Sequence, residues 1–152
     1  MAKFLVKRLA KLEPHSSVCR NGKIDLAISK FSQDKDVNMV QRFDVGTRLS
    51  EMAIHNGVVY LAGQIPEDPN LGIEGQTREV LEAIDRLLAR AGTDKSKLLM
   101  VQIFLVDLAD FEGMNRVWDA WVVPGHTPPR ATVQANLASP KWRIEVVATA
   151  AV

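Results

Sequence analysis

Cysteine occurs once in the 152 residues, at Cys19, so the chain cannot form an internal disulfide. A reducing compartment fits that usage. No apolar run approaches the roughly 20 residues that a membrane-spanning helix needs. Histidine is almost as scarce. His15, His55 and His126 are scattered, and no Cys/His pair has ligand spacing, so no metal is expected. His126 lies four residues before Arg130 in a Pro/Gly loop, where pocket lining and plain loop structure both fit. The chain also lacks a Walker loop, a dinucleotide fingerprint and a serine in a nucleophile elbow. "GIEG" at 72–75 opens a helix, but two glycines at that spacing specify no cofactor, and none is expected.

An excess of charge of either sign is missing too, with 19 Lys/Arg against 18 Asp/Glu. That balance conceals an asymmetry. Residues 1–38 carry eight Lys/Arg and four Asp/Glu, whereas residues 39–152 carry eleven and fourteen. An acidic body argues against a nucleic-acid partner. The opening "MAKFLVKRLAKL" places Phe4, Leu5, Leu9 and Leu12 near helical spacing before Pro14. Lysines interrupt it too early for a signal-peptide core. A membrane-surface element or an organelle address fits. So do a surface helix, a loose tail, or upstream sequence read in from before a start at Met39. Residues 1–38 are therefore set apart as a basic extension with no assigned role, and 39–152 as the folded domain.

The pattern sharpens from Gln41. "QRFDVG" is extended, and "SEMAIHNGVVYLAG" sets Asn56-Gly57 between two apolar runs, which predicts a hairpin. Val80, Ile84, Leu87, Leu88 and Ala91 form one helical face, and Gly92 is placed to end it. "LLMVQIFLVDL" predicts a buried strand. Asp110 is placed to cap a second helix with Phe111, Met114, Val117, Trp118 and Trp121 inside. "RATVQANL" and "WRIEVVATA" are two further strands. The order β-β-β-α-β-α-β-β has too few helices to cover both sheet faces, which predicts an α+β fold with helices on one side. The other face then needs cover, and oligomerisation supplies it.

Two charged residues interrupt these last strands. Arg130 begins a polar stripe with Thr132 and Gln134, opposite Ala131 and Val133. Glu145 sits in the apolar "RIEVVATA". Solvated decoration, a structural Arg130–Glu145 salt bridge and a functional site all fit, because the register between the strands is not legible.

"VVYLAGQIP", "GQTREVLEAIDRLLARAG", "IFLVDLADFEGMNRVWDAW", "PPRATV" and "RIEVVATA" share an order and spacing that are specific together. Over about residues 41–150 the chain resembles the RidA/YjgF (Rid) family of small trimeric proteins. The resemblance implies a chorismate-mutase-like α+β fold, with a mixed six-stranded sheet, two helices on one face, and a homotrimer with sites between subunits. It implies hydrolytic deamination of reactive 2-imino acids and their enamines to 2-oxo acids and ammonia, a form of metabolite damage control in the cytoplasm. The family's arginine, which pairs with the substrate carboxylate, matches Arg130 in "PPRAT". Its glutamate, which helps place the attacking water, matches Glu145. Thr132, Leu49 and Gln64 are implied to line the substrate site. Much of the family has a Gly-Pro-Tyr-Ser segment where this chain has "GTRLS", so Leu49 replaces a tyrosine. Many relatives have cysteine where Thr132 stands. A non-catalytic regulatory trimer that binds small carboxylates is the alternative.

Overall fold

A computed structural model describes residues 39–152. The expectations for residues 1–38 lie outside the described residues. The elements are β1 (Gln41–Val45), β2 (Ser50–His55), β3 (Val58–Leu61), α1 (Ile73–Arg90), β4 (Leu98–Leu105), α2 (Phe111–Trp121), β5 (Arg130–Gln134) and β6 (Ile144–Ala151). They follow the predicted order. The six strands form one sheet in the order β1-β2-β3-β6-β4-β5. Every pairing is antiparallel except that of β4 with β5, whose crossover runs through α2.

Local chemistry explains the elements that were predicted. Asn56 and Gly57 both have positive φ, at 50° and 73°, as a two-residue hairpin turn between β2 and β3 requires. α1 ends where Gly92 turns to φ 78°. There Thr93 N–H reaches the Leu88 carbonyl at 3.0 Å and Gly92 N–H the Ala89 carbonyl at 3.1 Å, which satisfies the last carbonyls of the helix.

Both helices pack on one face of the sheet. Val80, Leu81, Ile84 and Leu88 of α1 and Met114 and Trp118 of α2 meet Val101, Ile103 and Leu105 of β4 and Ile144, Val146 and Ala148 of β6. Two expectations need correction. β4 is buried on its helix side alone, while Leu99 and Met100 are exposed. Its apolar run therefore serves two faces, and the second has no cover within the chain. Asp110 precedes α2 but makes no side-chain cap. Its buried carboxylate instead takes two hydrogen bonds from Arg143, from Nε at 2.8 Å and Nη2 at 2.5 Å. A buried carboxylate requires a charged partner more than a helix end requires a cap. The same pairing raises the Arg143 pKa above its ordinary value.

Replacing Gly92 with alanine puts a Cβ on a left-handed residue, and is expected to cost about 1–2 kcal/mol. Urea unfolding measures this as a lower midpoint with unchanged slope. An unchanged midpoint would contradict the turn geometry.

Candidate functional site

The ladder around β4 determines where each candidate residue points. Val101, Ile103 and Leu105 face the helices and are buried. β5 pairs with β4 through Val101↔Arg130, Ile103↔Thr132 and Leu105↔Gln134, so Arg130, Thr132 and Gln134 also face the helix layer. Ala131 and Val133 face the other way. On the far side of β4, Phe104 pairs with Glu145, which places Glu145 on the open face. Arg130 and Glu145 are thus separated by a strand and by the thickness of the sheet. The register excludes a salt bridge between them within one chain.

Arg130 is half-buried, and its guanidinium carbon lies 4.9 Å from the centroid of the Trp118 ring. Trp118 is the core residue that its helical spacing predicted, and it is also the platform under this cation. The ring holds the guanidinium plane but offers no acceptor to its N–H groups. Nη1 is buried with no hydrogen-bond partner among the described residues, and so is the hydroxyl of Thr132. Leaving such a group unmet costs about 1–3 kcal/mol. Two polar groups two residues apart on one strand face are thus buried without a hydrogen-bond partner among the described residues.

Glu145 is half-buried and forms no ion pair with another described residue. Its carboxylate lies against the backbone of Gly63, where a Cβ would collide with Oε1. Gly63 and Gln64 run alongside β6. Gln64 N–H donates to the Val146 carbonyl at 2.8 Å, and Val146 N–H donates back to the Gln64 carbonyl at 3.0 Å. The carboxylate is therefore presented on the open face over a strip of bare backbone.

The remaining candidates lie elsewhere. Gln64 pairs with Val146, so its side chain faces the helices, where Nε2 donates to the Ala62 carbonyl at 3.1 Å. It lines a cavity of ≈ 260 Å³ with Glu51, Arg86, Leu87 and Arg90. Gln64, Val146, Ile103 and Thr132 form one row across the sheet, so Gln64 lies three strand spacings from Thr132, about 14 Å. Leu49 is 57% exposed, in the turn between β1 and β2. That turn sits near the opposite sheet edge, four strand spacings from β5, roughly 19 Å. The structure therefore brings Arg130 and Thr132 together and leaves Glu145, Gln64 and Leu49 apart from them. Gly63 and Trp118 join the site without having been predicted to do so. The single bare residue in "LAGQ" was the available signal for Gly63, while no local signal marked Trp118. Among the described residues no His/Cys/Asp/Glu cluster could hold a metal, and no helix is long and apolar enough to cross a membrane.

A mixed sheet with two helices on one face, an open opposite face and an unsatisfied arginine on an edge strand defines the class of protein. The family model described as endoribonuclease L-PSP matches residues 39–152. A RutC family protein of Haemophilus ducreyi is 49% identical over 114 residues, spanning 75% of this chain and 97% of the relative. The RutC family protein YoaB of Escherichia coli is 44% identical over 113 residues, spanning 74% and 98%. A crystal structure of a YjgF family member from Neisseria meningitidis superposes with a TM-score of 0.74 at 43% identity, covering 76% of this chain and 96% of that one. An uncharacterized protein from Pseudomonas aeruginosa gives 0.73 at 44%, covering 74% and 98%. The chain belongs to the RidA/YjgF family, and its fold is the chorismate-mutase-like one that the sequence resemblance implied.

The Gly63–Glu145 contact can be tested without an activity assay. Gly63→Ala is expected to lose about 1–3 kcal/mol through overpacking. Adding Glu145→Ala removes the atoms in the way, so the double variant should recover most of that loss in denaturant unfolding. Additive losses would mean that the two residues do not touch.

Proposed function

We propose that the protein is a hydrolytic deaminase of reactive 2-imino acids and their enamines, acting as a homotrimer with its sites between subunits. The observation that carries this reading is the buried, unmet Nη1 of Arg130 over Trp118, beside the unmet hydroxyl of Thr132. A planar carboxylate matches a guanidinium fork with two parallel hydrogen bonds. Each is worth about 1.5–3 kcal/mol when charge-assisted.

The exposed open face of the sheet supports the same reading. Tyr60, Met100 and Val133 are 49%, 36% and 48% exposed, and all lie on the face that the helices leave open. Covering that face with other copies would bring the β5 edge of one chain to the Glu145 strip or the Leu49 turn of its neighbour. Arg130 and Thr132 then supply the grip, and the neighbour's Glu145 supplies the chemistry. Leu49 is assigned to the wall, whereas the Gln64 side chain, turned toward the helices, is not.

The protonated imine carbon is already electrophilic, so the reaction needs orientation and a placed water. Glu145 takes a proton from water as its oxygen bonds to the imine carbon. The resulting carbinolamine carries the nitrogen as an amine. The Glu145 carboxyl then returns its proton to that nitrogen, the C–N bond breaks as the carbinol hydroxyl gives its proton back to the carboxylate, and the 2-oxo acid and ammonia leave. This chemistry calls for no metal or organic cofactor. A cytoplasmic location belongs to the same reading. A relative in Schizosaccharomyces pombe, 37% identical over 102 residues, is named as mitochondrial, and the basic segment 1–38 is the feature here that bears on an organellar address.

The test generates 2-iminopropanoate in solution and follows its loss. Acceleration by the protein should fall roughly 10²–10³-fold in kcat/KM for Arg130→Ala. It should fall roughly 10²-fold in kcat for Glu145→Gln. Because the two residues belong to different copies of the chain, an equimolar reassembled mixture of the two variants should regain about a quarter of the wild-type rate. No regain would place both groups in one chain. Binding of 2-oxo acids without acceleration would instead establish the non-catalytic carboxylate receptor.

A further inference from the structure

Gln76, in the first turns of α1, is fully buried, although it is polar and far from the open face. Its amide meets two chain segments. Nε2 donates to the carbonyls of Pro69 at 3.2 Å, Leu71 at 3.1 Å and Lys141 at 3.2 Å. Oε1 accepts the Arg143 N–H at 2.8 Å. Three carbonyls on one side and one N–H on the other leave a single orientation for the amide, and its two N–H bonds are shared among the three acceptors.

The partners are placed so that this amide bears on Glu145. The segment 69–71 follows the strip Gly63–Gln64 after four loop residues, and the segment 141–143 leads directly into β6 and Glu145. Arg143 is held at other polar groups as well. Its carbonyl accepts from Val106 N–H at 3.1 Å, and its guanidinium pairs with Asp110. The chain leading away from Gly63 and the chain leading into Glu145 are therefore both tied to the Gln76 side chain. Elsewhere β6 is held by its ladders to β3 and β4, which do not involve that side chain.

We infer that Gln76 is a positioning residue for Glu145: its buried amide clamps the two segments flanking the Gly63–Glu145 contact and so fixes where the carboxylate sits. The kinetic part of this inference rests on the deaminase reading, whereas its structural part does not.

Gln76→Glu keeps the shape and the acceptor for Arg143 N–H, but turns an oxygen toward three carbonyls. Gln76→Met serves if the glutamate variant does not fold. In native-state amide exchange, Gln64 and Val146 should exchange about 10-fold faster or more in either variant, with Ala148 and Ala150 within about twofold of wild type. With 2-iminopropanoate, kcat should fall about 10-fold while KM stays within about twofold, because the Arg130 grip is untouched. The rate of Gln76→Glu relative to wild type should also rise as pH falls, since the introduced carboxyl regains a donor once it is protonated. In the unmutated protein, the Gln76 side-chain amide protons should exchange far more slowly than those of exposed Gln102. That measurement decides the matter if neither variant folds. Unchanged exchange at Gln64 and Val146, or equal loosening along all of β6, overturns the inference. So does local loosening with unchanged kcat in an active enzyme. Local loosening in a protein whose wild type does not turn over the imine overturns the deaminase reading and leaves the clamp standing.

Discussion

The parallel pairing of β5 with β4 governs the direction of the polar groups on β5. β4 must turn Val101, Ile103 and Leu105 toward the helices, because those residues fill the core. The crossover through α2 brings β5 alongside with Arg130 opposite Val101. Strand side chains alternate with a period of two, so the register leaves Arg130 no choice but the helix side. A slip of one residue would put Ala131 and Val133 under α2 and carry Arg130 to the open face. The unmet guanidinium over Trp118 is thus a consequence of register rather than of the Arg130 rotamer. Its charge is tolerated there because the indole face supplies an electrostatic partner without consuming the N–H donors.

The same register divides the two charged candidates between two faces and two strands. Arg130 lies on the helix side of one edge strand, and the Glu145 carboxylate lies on the open side of a central strand. No side chain spans that separation within one chain. If Arg130 and Glu145 act on one molecule, as proposed, the protein must present them from different copies. The exposed apolar groups on the open face are then working surface. Tyr60, Met100 and Val133 would be a liability on a monomer, and as an interface they would give the proposed assembly its driving force.

Features that depend on neighbours in sequence were legible, and features that depend on strand order were not. The Asn56-Gly57 turn, the α1 face from Val80 to Ala91 and the stop at Gly92 follow from local dihedral preference and period, and the structure shows all three. The insertion of β6 between β3 and β4 is a nonlocal fact, and it sets the faces of both Arg130 and Glu145. The alternation in β5 was visible, but not which face each set takes. Its apolar members face the open side and its polar members face the helices, because the open side is itself apolar. Asp110 stands where a cap belongs, and it was claimed by an arginine 33 positions away. The resemblance drawn from "PPRAT" and "RIEVVATA" named Arg130 and Glu145, but it carried no information on what holds them. Trp118, Gly63 and Gln76 do that through contacts that no spacing reveals.

These supporting residues separate two demands on the proposed site. Trp118 orients the guanidinium through a ring face, which leaves the fork free for a carboxylate of any parent acid. Gly63 lets the Glu145 carboxylate lie against backbone, in space that a Cβ would fill. Neither contact reads the rest of a substrate. That task falls to the wall, where Leu49 offers 57% of its surface and no hydroxyl. Thr132 contributes a hydroxyl rather than a thiol. On the proposed reading, selection among imino acids at the Leu49 side rests on apolar contact, which discriminates by only about 1–3 kcal/mol per methylene. A site with a strong, generic grip and a weakly selective wall suits a class of short, reactive acids better than any single member of it.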